Sequence, residues 1–557
     1  MRLNKGVFAL AAAGALLLAG CSGSTEGGAA GSEGHPASNI NPKEASELKD
    51  GGTLRMAIAA DVEQWNRAHL NGNTGDVGDL IDPVLPQNFT VTDAGVFTPN
   101  PTFLESAEAA DKDGKTVVTL KLNPKAIWND GTPITVADYV ATWKATNGSN
   151  PEFVVPSTDG FDQIESIEQG ANEFEVVATF AAAYPDWQAP FSQVQHRDAV
   201  ANPQVFNEAQ ISEPNLNWHT GAFVITKIDK GAKTVEYGRN PKWWGEPAKL
   251  DSMVIKVVPG EGQGNAFANK ELDVAQAIDS SQYELLKGRA DADLRGALSP
   301  QWRHFTFNSK AGLLQDVELR RAIVKGINRA AIAESDLAGL PVKPETLMLN
   351  NHFFMPGQEG YQDNAGEYAF NQEKAKAELE ELGWKPGADG IREKDGKRLT
   401  IKYAMMTGVF TSENEGKLLQ AQMKEIGVEI ELVPIDPATF STTLSSGAFE
   451  IIAFTWIGTP FPMNNINQIY GNGGSNYAQI DDPEIIEKAN IISTTLDKAE
   501  RIKLTNEVDQ KIWDNVHTLP IYNRVLFVGV PKDLANYGSF GISSNTPEVR
   551  GYVADAK

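Results

Sequence analysis

The feature that most constrains the fold of this chain is the alternation of strand-like and helix-like segments after Gly51. Residues 116–122 read as a strand, and Thr135 stands three positions before Asp138 in a helix-capping pattern. The same alternation continues from residue 399 to residue 527. Strands that alternate with helices are typical of α/β proteins, and no fixed-period repeat indicates a solenoid or a propeller. The sequence therefore predicts an α/β fold with two or three domains.

The amino-terminal end has the pattern of a secreted lipoprotein. After a positively charged start, residues 6–18 form a largely apolar run that is too short to span a bilayer. The run ends in Leu18-Ala19-Gly20-Cys21, which resembles the lipobox of bacterial lipoproteins, in which the cysteine carries the lipid. Cys21 is the only cysteine among 557 residues, so no disulfide can form within the chain. We expect residues 1–20 to be a signal peptide and Cys21 to be lipidated; the alternative is an ordinary secretory signal followed by a chance cysteine.

Residues 21–49 begin with a stretch that is rich in Gly, Ser and Ala and has no apolar periodicity. This composition is typical of a flexible coil, so we expect a tether between the lipid and the folded part. No later stretch reaches the ~18 apolar residues that a membrane-spanning helix needs. The mature protein is therefore predicted to stand on the outer face of the bacterial cytoplasmic membrane, attached to it only by its lipid.

The composition excludes two further classes of protein. Lys and Arg total 49 against 73 Asp and Glu, which gives a formal net charge of −24. A surface of this charge repels nucleic acid, so we predict no nucleic-acid partner. Hydrophobic residues make up 41% of the chain, which is enough for a large core and excludes general disorder.

Common catalytic and metal-binding motifs are absent from the sequence. No Gly-x-Ser-x-Gly is present, and the seven histidines are not spaced as zinc ligands. Gly260, Gly262 and Gly264 follow a strand but miss the third glycine of a dinucleotide fingerprint, and we interpret them as a flexible crossing between lobes. Phosphate binding there is the alternative. We predict no enzymatic activity, no cofactor and no metal, with a hydrolase as a distant alternative.

A resemblance to a known family extends over nearly the whole mature chain. The segments that carry it are Gly51-Gly52-Thr53-Leu54-Arg55, Trp128-Asn129-Asp130-Gly131-Thr132-Pro133, Arg239-Asn240-Pro241, Phe305-Thr306-Phe307-Asn308, Leu382-Gly383-Trp384, Asp482-Pro483-Glu484 and Leu519-Pro520-Ile521-Tyr522. In this order they resemble the family 5 extracellular solute-binding proteins, which include the dipeptide and oligopeptide receptors of ABC importers. The stretch 456–462 looks like an actinobacterial lipoprotein subgroup of that family.

The resemblance implies a two-lobed, periplasmic-binding-protein-like α/β fold of type II with a hinge between the lobes. Lobe 1 would comprise residues 50–258, with an inserted subdomain at about 86–214, and the chain would return to it over 520–557. Lobe 2 would comprise residues 259–519. The two crossings between lobes are expected near 258–264 and near 519–523.

The function that the resemblance implies is capture of peptides or peptide-like solutes by closure of the lobes. A monomer would deliver the ligand to an ABC permease and its ATPase. The alternative is an envelope scaffold that binds a glycolipid or an assembly partner without transport, because the actinobacterial subgroup includes a lipoprotein connected with phosphatidylinositol mannoside assembly.

A set of aromatic and amide residues is expected in the ligand cleft. Its members are Trp65, Asn66, Trp302, Phe305, Asn308, Trp456, Phe461, Asn464 and Asn465. Phe461 marks a departure from the family, because it stands where peptide receptors carry an Asp that pairs with the peptide's amino group. An aromatic ring cannot replace a buried anion, so the sequence predicts a receptor that does not require a free peptide amine.

Overall fold

The computed structural model describes residues 36–93, 95–277, 279–464 and 466–554. The predicted signal peptide, Cys21 and the first part of the predicted tether, up to residue 35, lie outside these residues, and so does the predicted cleft residue Asn465. Among the described residues, no helix is both long enough and apolar enough to cross a bilayer.

Strands and helices alternate along the whole described chain, as the sequence predicts. The strands are β1 Thr53–Ile58, β2 Phe89–Val91, β3 Phe97–Pro99, β4 Leu104–Lys112, β5 Lys115–Leu122, β6 Ile164–Gln169, β7 Glu175–Phe180, β8 Phe223–Asp229, β9 Thr234–Arg239, β10 Ser252–Val257, β11 Ala275–Ala277, β12 Ala292–Phe307, β13 Lys385–Pro386, β14 Arg392–Lys394, β15 Lys397–Arg398, β16 Thr400–Met406, β17 Glu429–Ile435, β18 Ile451–Ile457, β19 Thr518–Pro531, β20 Leu534–Ala535 and β21 Gly551–Tyr552. The α-helices are α1 Gly75–Ile81, α2 Val136–Thr146, α3 Pro203–Glu208, α4 Gly260–Ala268, α5 Ser280–Lys287, α6 Val317–Lys325, α7 Arg329–Asp336, α8 Pro344–Leu347, α9 Gln372–Glu381, α10 Phe410–Glu425, α11 Phe440–Ser446, α12 Ile466–Tyr470, α13 Pro483–Thr494 and α14 Lys498–Asn515.

Local sequence signals account for several of these boundaries. Thr135 and Asp138 form the expected capping box of α2, in which the backbone N–H of Thr135 donates to Asp138 Oδ2 at 2.9 Å. Gly427 ends the segment after α10 with a φ of 80°, and a Cβ there would lie 2.9 Å from the carbonyl oxygen of Gly390. Only glycine fits both conditions, so the chain turns into β17 at this point.

Three large sheets organise the described residues. The first has the order β1-β10-β9-β8, the second β4-β5-β7-β6, and the third β11-β19-β12-β18-β16-β17. Each has its own buried cluster, with Phe223 under the first sheet, Trp128 under the second and Tyr403 under the third. The second sheet lies within the segment 86–214, which the sequence analysis assigns to an inserted subdomain.

Two long strands, β12 and β19, run antiparallel through the third sheet and connect the two halves of the molecule. Leu298 pairs with Val525 on one side of a register shift, and Trp302 pairs with Asn523 on the other side. The first part of β12 and the last part of β19 lie near β11, whereas the other parts lie near β16 and β18. Both strands therefore pass from one half to the other between these two pairs.

The predicted flexible crossing at 258–264 is wrong. Gly260–Ala268 form α4, and the next residues return to the first sheet, where Arg55 Nη2 and Nε donate to Asp273 at 2.7 and 3.0 Å. Each glycine costs a helix about 1 kcal/mol, but Phe267 of α4 is fully buried, and this packing offsets the cost. The first half thus continues to about residue 298, and the crossing lies at 299–301.

The tether prediction is wrong for residues 36–49. The N–H of Asn39 donates to the carbonyl of Ser539 at 2.7 Å, and that of Lys49 donates to Tyr552 at 2.9 Å. Leu48 is buried and bridges to Val553. Backbone pairing with the carboxyl-terminal segment therefore fixes residues that the composition alone assigns to a coil.

Candidate functional site

Two neighbouring cavities lie between the halves of the molecule. The larger, of about 510 Å³, is the aromatic compartment, with walls that include Trp302, Phe440, Trp456 and Tyr477. The smaller, of about 430 Å³, is the charged compartment, with walls that include Asp79, Asp82, Gln276 and Arg550. Thr459 and Phe461 border both cavities. The two compartments therefore meet at the loop that follows β18.

The wall of the aromatic compartment is built by strand pairing. Trp302 of β12 lies directly opposite Trp456 of β18, and His304 lies opposite Phe454. Residues two apart on a strand share a face, so these four rings form one surface. His304 stacks on Trp456 with a centroid distance of 5.9 Å, and Tyr477 stacks on the same indole at 5.8 Å. A rigid aromatic surface of this kind binds apolar side chains and flat groups.

Four of the predicted cleft residues line this cavity, namely Trp302, Trp456, Phe461 and Asn464. Phe461 stacks on Phe97 of β3, with ring centroids 4.5 Å apart. The hydroxyl of Tyr184, in the loop after β7, donates to Asn464 Oδ1 at 3.1 Å. The segment after β18 therefore contacts the first half of the chain directly, although contact with a ligand stays a prediction for all four residues.

Trp65 and Asn66 are not cleft residues, which corrects the prediction. Trp65 is buried in the cluster beneath the first sheet. The amide of Asn66 donates to the carbonyl of Phe206 at 2.9 Å and is almost fully buried. Both positions follow β1, as predicted, but the chain turns into the core before it reaches the cavity.

Phe305 and Asn308 are also absent from both cavity walls. Phe305 is three residues from Trp302 on β12, so it points to the opposite face and packs on Tyr403 in the core. The side-chain amide of Asn308 donates to the carbonyls of Gly447 and Phe449, both at 3.0 Å. These two residues hold the sheet and the following loop together.

Several residues of the aromatic compartment are not predicted from the sequence, among them His352, Tyr470 and Tyr477. They lie in irregular segments or a short helix, where no periodicity indicates which face is covered. Asp509 fixes the position of His352 through two contacts with Oδ1. The ring Nδ1 of His352 lies 2.7 Å from this oxygen, and the backbone N–H of His352 donates to it at 2.8 Å. Only the fold brings these positions together.

The electrostatics of the charged compartment are dominated by α1. Partial burial, together with the neighbouring carboxylates of Asp76 and Asp82, raises the pKa of Asp79 to about 7 against the opposing effect of Arg550 and Arg67. Asp79 nevertheless has solvent-accessible surface, because its side chain borders the cavity. Burial also lowers the pKa of Arg550, which is only 3% exposed. No group of three or more His, Cys, Asp or Glu in the described part of the chain is placed to hold a metal ion.

Further contacts join the two halves outside the cavities. Arg501 of α14 forms a bidentate ion pair with Asp186, whose Oδ1 accepts from Nη1 at 3.2 Å. The N–H of Gln468 donates to Asp159 at 3.1 Å, and the hydroxyl of Thr442 donates to Glu63 at 2.9 Å. The two halves therefore contact each other directly around the cavities.

Comparison with known proteins gives a consistent result. Residues 98–477 match the family model of bacterial extracellular solute-binding proteins, family 5 Middle. The oligopeptide-binding protein OppA of Mycobacterium tuberculosis is 34% identical over 512 residues, which cover 91% of this chain and 85% of OppA. A probable monoacyl phosphatidylinositol tetramannoside-binding protein, LpqW, of the same species is 23% identical over 61% of this chain and 56% of its own length.

The fold is also that of a solved structure. The oligopeptide-binding protein AppA of Bacillus subtilis, solved in complex with a nonapeptide, superposes with a TM-score of 0.79. The match covers 91% of this chain and 100% of AppA at 17% sequence identity, so it shows the fold alone. The predicted two-lobed binding-protein fold is thereby confirmed.

Proposed function

This chain belongs to the bacterial extracellular solute-binding proteins of family 5, and we propose that it captures peptides or peptide-like solutes for an ABC importer. The relatives reported above are named as binding proteins and none as an enzyme, which agrees with a role in binding rather than catalysis. OppA, the relative that matches over most of both chains, is named as a protein that binds oligopeptides.

The observation that carries this proposal is the aromatic compartment between the two halves. A cavity of about 510 Å³ holds several amino-acid residues of an extended peptide. Trp302 and Trp456 offer flat apolar surface to side chains of varied shape, while Gln358, Asn71 and Thr455 offer hydrogen-bonding groups at the same walls. Such a site favours backbone recognition with tolerance of many side chains.

Capture would work by closure about β12 and β19. Each strand passes between the halves, so a bend at 299–301 and at 524 separates the walls of the cavities without breaking the sheets. Closing removes water from the ligand, which strengthens every hydrogen bond inside the cleft. The ion pair of Arg501 with Asp186 would add to the stability of the closed form.

Peptide capture is tested by incubating the purified protein with a tryptic digest of casein and re-isolating it by gel filtration. We expect mass spectrometry of the denatured complex to identify retained peptides. The proposal fails if no peptide is retained, or if a glycolipid from a membrane extract displaces the peptides. The second outcome would favour the scaffold alternative, for which the similarity to LpqW is the supporting observation.

Attachment and delivery complete the proposal. A lipid on Cys21 would hold the protein at the outer face of the membrane, beside the permease that receives the ligand. The permease and its ATPase are the partners that an ABC importer requires, and the receptor would work as a monomer.

A further inference from the structure

The charged compartment contains a carboxylate that the protein itself does not pair. Asp76 of α1 accepts from the N–H groups of Ala59 and Ala60 at 3.3 and 3.1 Å. Asp82 lies 3.5 Å from Arg67 Nε. By contrast, Asp79 has neither a hydrogen-bond donor nor an ion-pair partner among the residues that the structure describes, and its side chain faces the cavity.

An arginine on the same cavity is also incompletely paired. Arg550 Nη2 donates to Asn545 Oδ1 at 2.6 Å, and the guanidinium lies 4.9 Å from the ring centroid of Tyr537. Its Nε has no partner in the described ranges, and no described carboxylate lies within 4.0 Å. A buried donor of this kind costs free energy unless it is satisfied. Because Arg550 Nε is itself buried, Asp79 is the unpaired group that a ligand in the compartment can reach.

The balance of charge at this cavity favours a cation as its occupant. Asp76, Asp79 and Asp82 carry three potential negative charges, against two positive charges on Arg67 and Arg550. Asp79 has accessible surface, whereas Arg550 is almost completely covered by its neighbours. A cation beside Asp79 would be attracted by an accessible carboxylate that has no cationic partner among the described residues.

The remaining wall suits a cation as well. Phe461 and its stacking partner Phe97 both border the charged compartment, and an aromatic ring attracts a cation by about 0.5–2 kcal/mol. The side chain of Gln276, which is exposed to the cavity, adds an amide oxygen.

We propose that the charged compartment binds a cationic group of the ligand, an ammonium or a guanidinium, through Asp79. The inference rests on the proposed function and deepens it by assigning a ligand charge. Two parts of a peptide supply such a cation: its amino terminus and a lysine or arginine side chain. The proposal differs from the prediction based on Phe461, because α1 brings a carboxylate to the cavity from a distant part of the chain.

The test uses the peptide that the protein retains most strongly from the casein digest, made synthetically in three forms. One form has a free amino terminus, the second is N-acetylated, and the third is N-acetylated with every lysine or arginine replaced by norleucine. Binding of each form to wild type and to Asp79→Asn is measured by calorimetry. Asp395→Asn, an exposed acid in a turn of the other half with a φ of 53°, is the control for the loss of one negative charge.

We expect Asp79→Asn to weaken at least one cationic form about tenfold or more and to leave the fully neutral form unchanged. Loss only for the free-amine form identifies the amino terminus as the partner, and loss for the acetylated form that keeps its basic side chains identifies a side chain. Asp395→Asn should alter none of the three affinities. Asp79→Asn should melt no lower than wild type, because it removes an unpaired carboxylate, so a loss of binding is not a loss of folding.

Two results would overturn the inference. If all three forms bind wild type and Asp79→Asn equally, the charged compartment does not recognise a cation, while peptide capture stands. If wild type retains no peptide from the digest at all, peptide capture fails and the inference fails with it.

Discussion

Trp456 has the position in the cavity wall that a ligand-binding residue needs. Its indole faces the aromatic compartment between Tyr477 and His304, and its Nε1 has no hydrogen-bond partner among the residues that the structure describes. The residue is only half-buried, so part of the indole ring is accessible to apolar groups of a bound peptide.

We predict that Trp456→Phe weakens peptide binding by roughly threefold to tenfold, because the smaller ring loses apolar contact area with the ligand, at about 0.8 kcal/mol for each group the size of a methylene. Calorimetry with a peptide retained from the digest measures the change. Trp65→Phe is the matched control, since Trp65 lies in the core outside both cavities; its affinity should equal that of wild type even if it melts earlier. Equal losses in both variants would show a general destabilisation instead.

His219 links stability to pH. It is almost fully buried, and burial lowers its pKa from 6.5 to about 4. Below pH 6.5 the unfolded chain binds a proton at this position that the folded chain rejects, so protonation favours unfolding. The stability that depends on neutral His219 is present above pH 6.5 and is lost as the pH falls towards 4, by roughly 3 kcal/mol.

His219→Gln should therefore be less stable than wild type at pH 7.5, by an amount that shrinks as the pH falls to 4.5. The variant cannot take up the proton that destabilises the wild-type fold. Melting temperatures of both proteins across this range measure the effect. A difference that stays constant with pH would mean that the pKa of His219 is the same in the folded and the unfolded chain.

At the scale of elements, α14 in the second half of the molecule contacts the loop after β7 in the first half. Arg501 is 6% and Asp186 is 15% exposed at the side chain, so their ion pair is largely removed from water. Breaking such a pair leaves a buried charge without a partner, which costs about 3–5 kcal/mol unless the structure opens. Opening of the cleft would let water reach Arg501 and avoid that cost.

Asp186→Ala should consequently shift the ligand-free protein towards an open form. We expect a larger radius of gyration in small-angle scattering and a weaker apparent peptide affinity, because part of the binding energy is then used to close the cleft. Glu359→Ala is the control. Glu359 pairs with Lys498, which lies on α14 like Arg501, but that pair is exposed and does not join the halves. An unchanged radius in Asp186→Ala would indicate that other contacts hold the closed form.

The sequence predicts elements well where local chemistry determines them. The capping box of α2, the Gly427 turn and the cap at Asp497 that begins α14 are properties of a few neighbouring residues. The sequence-based prediction is wrong where tertiary packing determines the structure. At α4, for example, the burial of Phe267 offsets the low helix propensity of three glycines. The tether prediction for residues 36–49 is wrong for a similar reason, because the backbone groups that pair with these residues lie at the other end of the chain.

The prediction of cleft residues from the sequence is limited in the same way. Trp302 and Trp456 are predictable because strand alternation and the resemblance both place them. Phe305 is close to Trp302 in sequence but lies on the opposite strand face, in the core against Tyr403. Asp79 and Arg550 meet at one cavity from opposite ends of the chain, a proximity that no local pattern indicates.

At the scale of the whole molecule, attachment to the membrane is a separate prediction. Cys21→Ala should move the protein from the membrane fraction to the soluble extracytoplasmic fraction, because the lipid would be the only anchor. Fractionation followed by immunodetection measures the distribution, and the wild-type chain is the control. Continued membrane association of the variant would argue for a different anchor.

The central claim is that this protein closes around a peptide between its two halves. A crystal structure of the protein re-isolated from the casein digest tests it most directly. We predict electron density for an extended peptide in the aromatic compartment, between Trp302 and Trp456, with a cationic group beside Asp79. Peptide density on an outer surface, or both compartments filled only by water while peptide is retained, would contradict the account.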